Sequence, residues 1–227
     1  MKVAVITSIY NDFDTLKPTL EQVGAEVDWI FVTDNEAYER GDADPLGWKV
    51  VYKPKPRVHP CRAAKRPKML PSQYTDAPHS IWIDGSFRVI SPTMVQDMLT
   101  HARRYVSGFA QFKHPWRSCL YAEADASMGL AKYGGEIQHI KPQVDFYRRS
   151  QFPADWGLWA TGVIARFDHE RSYDWGRHWY NQVLAWSYQD QISQPFSLWA
   201  HDVQPVELPG SHMHNQWVRY EGSARHG

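Results

Sequence analysis

Cysteine is scarce: only Cys61 and Cys119 occur among 227 residues. Two thiols cannot build a disulfide framework or a cysteine-rich zinc site, so reduced thiols and an intracellular protein are expected. Long apolar runs are missing as well. Residues 3–10 are too short to span a bilayer, and Asn11-Asp12 follow them instead of a small-residue cleavage site. No other stretch approaches the roughly 18 uninterrupted apolar residues of a membrane helix, which makes a cytoplasmic location the expectation. Internal repeats, low-complexity tracts and linkers are also lacking, so residues 1–227 read as one domain. Net charge is zero, with 25 basic and 25 acidic side chains, and 43% hydrophobic content supplies a core; together these exclude a disordered chain.

What the chain has in abundance is aromatic residues, including 11 Trp, and an uneven distribution of charge. Residues 1–47 carry ten acids against three bases, whereas residues 53–68 carry seven bases and no acid. Such a basic segment attracts a phosphate-bearing ligand, whether a nucleotide or a nucleic-acid backbone; a solvated basic face is the plainer reading.

The first half alternates strand-like and helix-like segments. Residues 3–8, 27–33, 48–52 and 80–83 predict strands rich in β-branched residues, and residues 14–23 predict a helix. Residues 62–70 have helical composition, with Pro67 expected to kink or delimit it. Further along, residues 92–105, 121–132 and 173–188 predict helices, and 106–112 and 159–167 predict strands. This alternation implies an α/β fold, a Rossmann-like, mixed and mainly parallel sheet flanked by helices. Ligands of such sheets sit at the carboxyl ends of strands, where Asp34 and Asp84 fall.

Four local patterns bear on chemistry. In Ile81-Trp82-Ile83-Asp84-Gly85-Ser86 a carboxylate ends a buried strand, placed to meet a ligand or hard cation; a strand-ending turn is the alternative. Arg62, Lys65 and Arg66 fall at i, i+3 and i+4, so one helical face aims several cations at a diphosphate or, more plainly, at solvent. His212 and His214 at i, i+2 share one side of an extended segment and offer a metal ligand or a phosphate contact. Asp190 sits in the polar break Gln189-Asp190-Gln191, where the pattern favours a helix cap over a functional carboxylate.

Taken in order, five motifs resemble a family of glycosyltransferase-like domains whose plant members are linked to cell-wall and mucilage polysaccharides. They are Arg62 with Pro67-Lys68-Met69-Leu70-Pro71; Ser80-Ile81-Trp82-Ile83-Asp84-Gly85; His114-Pro115 with Arg117, Cys119, Tyr121, Glu123 and Ala124; Gln143-Val144-Asp145-Phe146-Tyr147; and Asp190-Gln191-Ile192-Ser193. The resemblance implies a GT-A-type transferase that takes a nucleotide-sugar donor, UDP-linked, to an acceptor that is a glycan, a protein or a nucleic acid. It implies a nucleotide-binding half over about residues 1–112 and an acceptor-side half over about 113–227. Ser72 stands where the family pattern has His, and Ser86 stands where an Asp-x-Asp motif has its second carboxylate.

By the same resemblance, Ser8, Ile9, Tyr10, Asp34, Arg62, Lys65, Lys68, Asp84, Gly85 and Gln191 bind the donor. Asp84 with His212 or His214 would hold a divalent cation, Mn²⁺ or Mg²⁺, although losing the second carboxylate weakens that site. Asp190, Glu123 and Asp84 are the catalytic candidates. Trp29, Trp48 and Trp82, and the stripe Trp175, Trp179 and Trp186, read as core, while Trp156, Trp159 and Trp217 lie in polar-flanked segments suited to stacking on an acceptor sugar. Two other classes stay open at this level: a non-catalytic carbohydrate-binding relative, and a nucleic-acid-binding protein using residues 53–68.

Overall fold

The computed structural model describes residues 1–54 and 57–222, so Lys55 of the basic segment lies outside the described residues. The framework is a seven-stranded sheet in the order β3-β2-β1-β4-β7-β6-β8. Its strands are β1 (Lys2–Ile9), β2 (Glu26–Thr33), β3 (Lys49–Tyr52), β4 (His79–Ile83), β6 (Phe109–Lys113), β7 (Trp159–Arg166) and β8 (Val206–Glu207). β5 (Phe87–Val89) and β9 (Val218–Tyr220) form a separate antiparallel pair. All sheet neighbours run parallel except β7, which is antiparallel to both β4 and β6. β1 is buried along seven of its eight residues, as its unbroken apolar run predicts.

Two cores cover the two faces. On one, Val3, Val5, Ile81 and Val163 meet Met94, Val95 and Met98 of α4 (Met94–Ala102). On the other, Ala4, Ile6, Trp82 and Ile164 meet Met69 of α3 (Arg66–Met69) and Trp175, Trp179 and Val183 of α7 (Tyr173–Ala185). A third cluster joins α5 (Leu120–Met128), α6 (Ile137–Arg149) and α8 (Asp190–Trp199) through Leu120, Tyr147, Ile192 and Phe196. Among the described residues no helix is long and apolar enough to cross a membrane.

The predicted strands are present to within a few residues; the helices depart further. Residues 14–23 form no helix. Pro18 interrupts the run, and the segment's backbone turns to tertiary partners: Trp48 Nε1 donates to the Lys17 carbonyl at 2.7 Å and the Thr19 amide to the Leu46 carbonyl at 3.1 Å. Residues 62–70 divide into α2 (Pro60–Ala64) and α3, with the break at Lys65 just before Pro67. α6 and α8 carry Pro142 and Pro195 in their interiors, which conceals them from a reading that treats proline as a helix breaker. α1 (Glu36–Arg40) is one short turn capped by the Asn35 side chain.

Candidate active site

A cleft of about 570 Å³ opens at the carboxyl ends of β1 and β4. β1 contributes Ser8, Ile9 and Tyr10 to its wall, β4 contributes Trp82, Asp84 and Gly85, and the start of β7 contributes Ala160, Thr161 and Gly162. Lys65 and Lys68 enter from α2–α3, Glu123 from α5, Asp190 and Gln191 from α8, and His212 from the late loop. The cleft therefore draws on both halves of the chain. Gly162 keeps the wall open: a Cβ there would lie 2.7 Å from the Phe87 ring and 3.3 Å from an Asp84 carboxylate oxygen.

A chain of ion pairs forms the cleft floor. Lys65 Nζ lies 2.9 Å from Asp190 Oδ1, and Lys68 Nζ lies 2.7 Å from Asp190 Oδ2 and 3.0 Å from Asp84 Oδ1. Trp82 Nε1 donates to the same Asp84 oxygen at 2.6 Å. The Lys68 and Asp190 side chains are 2% and 5% exposed, whereas Asp84 is 35% exposed and faces the cleft. Burial alone would raise the Asp190 pKa, but the two ammoniums override it and hold the carboxyl well below the usual carboxylate range. Asp190 is thus the first residue of α8 without capping it, since its side chain is turned to the lysines. The cap reading fails because a partner 122 residues away in sequence claims the carboxylate.

The depressed Asp190 pKa has a consequence for acid stability. Its contribution to folding is fully present above the unfolded carboxyl pKa, near 3.8, and is lost as pH falls toward the lower folded value. Asp190→Asn should flatten the stability curve below about pH 4, which urea unfolding at stepped pH measures.

Glu123 anchors a second cluster. Its carboxylate accepts from Arg117 Nε at 2.5 Å and from Gln189 Nε2 at 3.2 Å, and His114 Nε2 stands 3.6 Å away. Burial holds the Glu123 pKa above its ordinary value, with Arg117 opposing. His114 is pushed down to about 4 by burial and then by Arg117, so it is neutral near pH 7. Its Nδ1 accepts from the Arg117 amide at 3.0 Å, which leaves the proton on Nε2, facing Glu123.

Several predicted site residues lie elsewhere. Arg62 donates to the carbonyls of Val183 and Trp186 at 3.1 and 2.6 Å and pairs with Glu136 at 3.2 Å, because α2 turns Pro60, Cys61 and Ala64 to the cleft and Arg62 leaves its other side. Arg66 turns to Gln73, so no single face presents all the cations. Asp34 accepts from the Asn11 amide at 2.8 Å beyond the end of β2, off the cleft wall. His214 is exposed and off the wall too, because residues 211–214 form a turn closed by the Ser211–His214 bridge and the expected extended segment is absent. Trp217 is 1% exposed and donates to the Asp97 carboxylate at 2.9 Å; it fastens the loop that presents His212. Trp159 is 5% exposed, and Trp156 packs edge-on against it at 5.6 Å, so neither lines the cleft.

Other wall residues escape the sequence reading. Trp116 is 69% exposed at the cleft mouth, with its ring edge-on to His114 and His212. Lys132 also lines the cleft, and among the described residues it makes no ion pair. Trp82, read as core, carries a donor into the site through its indole N–H. The polar flanks of Trp116, His114-Pro115 before it and Arg117-Ser118 after it, are the available signal; nothing local marks Lys132.

Asp84 and His212 are the pair suited to a divalent cation. Among the described residues no three His, Cys, Asp or Glu side chains gather to hold a metal ion. His212 Nδ1 is buried without a protein partner among the described residues, and burial lowers its pKa against the pull of Asp84, leaving a neutral imidazole. A carboxylate with one imidazole fits a cation whose remaining ligands are phosphate oxygens and water.

A mixed, mainly parallel sheet with one antiparallel inner strand and a cleft at its carboxyl edge defines an α/β domain of the GT-A-like, Rossmann-type class. The chain belongs to the TOD1/MUCI70 glycosyltransferase-like domain family, whose model matches residues 1–215. No curated protein matches the chain.

Proposed function

We propose that the protein is a glycosyltransferase that transfers a sugar from a nucleotide-sugar donor, a UDP-sugar, to a glycan, protein or nucleic-acid acceptor. The observation that carries this reading is the line Lys65–Asp190–Lys68–Asp84 along the floor of a cleft large enough for such a donor. As the glycosidic bond breaks, negative charge grows on the leaving diphosphate, and preorganised cations stabilise it without having to reorient. Asp190 fixes Lys65 and Lys68, while Lys132, which makes no ion pair among the described residues, adds a further cation to the cleft wall.

The nucleoside lies against Ser8, Ile9 and Tyr10, and Gly85 and Gln191, which also line the cleft, contact the donor. Asp84 and His212 would hold Mn²⁺ or Mg²⁺, which when bound adds positive charge at the diphosphate oxygens. Glu123 is the general base for the acceptor hydroxyl. Its raised proton affinity suits the role, whereas Asp190, clamped between two ammoniums, binds a proton too weakly. Trp116 is the stacking surface for the acceptor at the cleft mouth.

The test is a thermal-shift screen of nucleoside diphosphates and nucleotide sugars with and without Mn²⁺, followed by turnover of whichever donor binds. A true donor raises the unfolding midpoint, since it binds only the native state. Asp84→Ala should abolish turnover with the fold intact by circular dichroism. Turnover unchanged in that variant removes Asp84 from the site, and no stabilisation by any nucleotide sugar removes the transferase reading.

A further inference from the structure

Arg166 ends β7, at the opposite end of that strand from the residues that line the cleft, and is 1% exposed. Its Nε, Nη1 and Nη2 are all buried, and none has a protein hydrogen-bond partner among the described residues. Burial draws its pKa down to about 9, which still leaves a guanidinium at neutral pH. An isolated buried charge is strongly destabilising unless something of opposite sign meets it.

Among the described residues the surroundings supply aromatic rings and neutral polar groups, and no free carboxylate. Cζ lies 5.2 Å from the Trp175 ring centroid and 6.0 Å from that of Phe109, and ring faces attract the charge without serving as strong hydrogen-bond acceptors. Ser80 is the cross-strand partner of Arg166, so both side chains leave the sheet on the same face. Ser80 Oγ and Trp175 Nε1 are likewise buried without a protein partner among the described residues, as is His169 Nδ1. His169 senses the guanidinium: burial first and Arg166 second push it down to about 4. Asp168, the carboxylate beside His169, is engaged by Arg171 at 2.9 Å.

We propose that Arg166, with Ser80, Trp175 and His169 around it, forms a buried site for a small monovalent anion of chloride size, remote from the donor cleft. Such an ion meets both needs at once, neutralising the guanidinium and accepting from N–H and O–H groups that have no protein partner among the described residues. Water can accept hydrogen bonds but leaves the charge uncompensated. The near-complete burial of Phe109, Trp175 and Ser80 restricts the site to a small ion. The ion would tie the ends of β4 and β7 to α7, which makes it a component of the folded state.

The experiment compares the unfolding of the full chain in chloride and in gluconate at constant ionic strength, and locates bromide by anomalous diffraction in crystals of the unmutated protein. Chloride should raise the folded-to-unfolded ratio roughly tenfold for each tenfold increase above its dissociation constant. Arg166→Met should be insensitive to the exchange, and bromide should appear within hydrogen-bonding distance of the guanidinium. No chloride response in the unmutated protein, a response that persists in Arg166→Met, or a bromide map with no peak at Arg166 overturns the proposal. The bromide measurement needs no variant, so it decides the matter even if Arg166→Met fails to fold.

Discussion

Lys68→Met is expected to abolish turnover and to destabilise the protein by about 3 kcal/mol, near the lower end of the range for breaking a buried ion pair. Methionine matches the length and flexibility of lysine, so packing against Trp82 largely survives while the ammonium is lost. Asp190, 5% exposed, keeps Lys65 as a partner, which explains a loss at the low end of that range. Asp84 loses its cation, and among the described residues its carboxylate retains the Trp82 indole N–H at 2.6 Å. Urea unfolding gives the stability change and donor turnover gives the functional one. Adding Asp190→Asn to Lys68→Met should restore neither stability nor turnover, because Lys65 then loses the carboxylate that lies 2.9 Å from its ammonium. Full activity in Lys68→Met would show that the ion-pair chain is structural only.

Glu123→Gln is expected to lower kcat by about 10²–10⁴ with little change in donor affinity, the effect of removing a general base. The substitution keeps the size of the side chain and an oxygen to accept from Gln189, and Arg117, 30% exposed, can be solvated in place of its lost partner. The pH profile separates a base from a structural carboxylate. A base works deprotonated, so the activity of the unmutated protein should rise with pH through the Glu123 pKa, which burial places above the ordinary 4.5. Glu123→Gln should lose that acid limb along with the rate. An unchanged profile would place the proton transfer on another group.

The residues of the cleft floor were named from sequence, but their connections were not. Lys65, Lys68, Asp84 and Asp190 stand in ordered motifs, and a strand-ending Asp-Gly points to a ligand edge by itself. Nothing local says that Lys68 and Asp190 meet across 122 positions, and a reading of Gln189-Asp190-Gln191 as a helix start therefore makes Asp190 a cap. Arg62 and His214 lie off the cleft wall for a related reason. An assumed regular helix or strand fixes a common face, but Arg62 leaves the side of α2 away from the cleft and the turn at Ser211–His214 rotates His214 away.

The class of fold follows from the order of residues alone, because unbroken apolar strands buried on both faces demand helices above and below them. That order also bounds the site to the carboxyl edge of the sheet, since that follows from strand direction. Which tryptophans face solvent was left to the tertiary structure: Trp217 is a buried anchor and Trp116 an exposed rim residue, although both lie among polar neighbours in the chain. So were the proton affinities of Asp190 and Glu123, the one lowered by two lysines and the other raised by burial. Periodicity and composition are local quantities, whereas exposure and electrostatic environment are set by residues distant in sequence that only folding brings within a few ångströms.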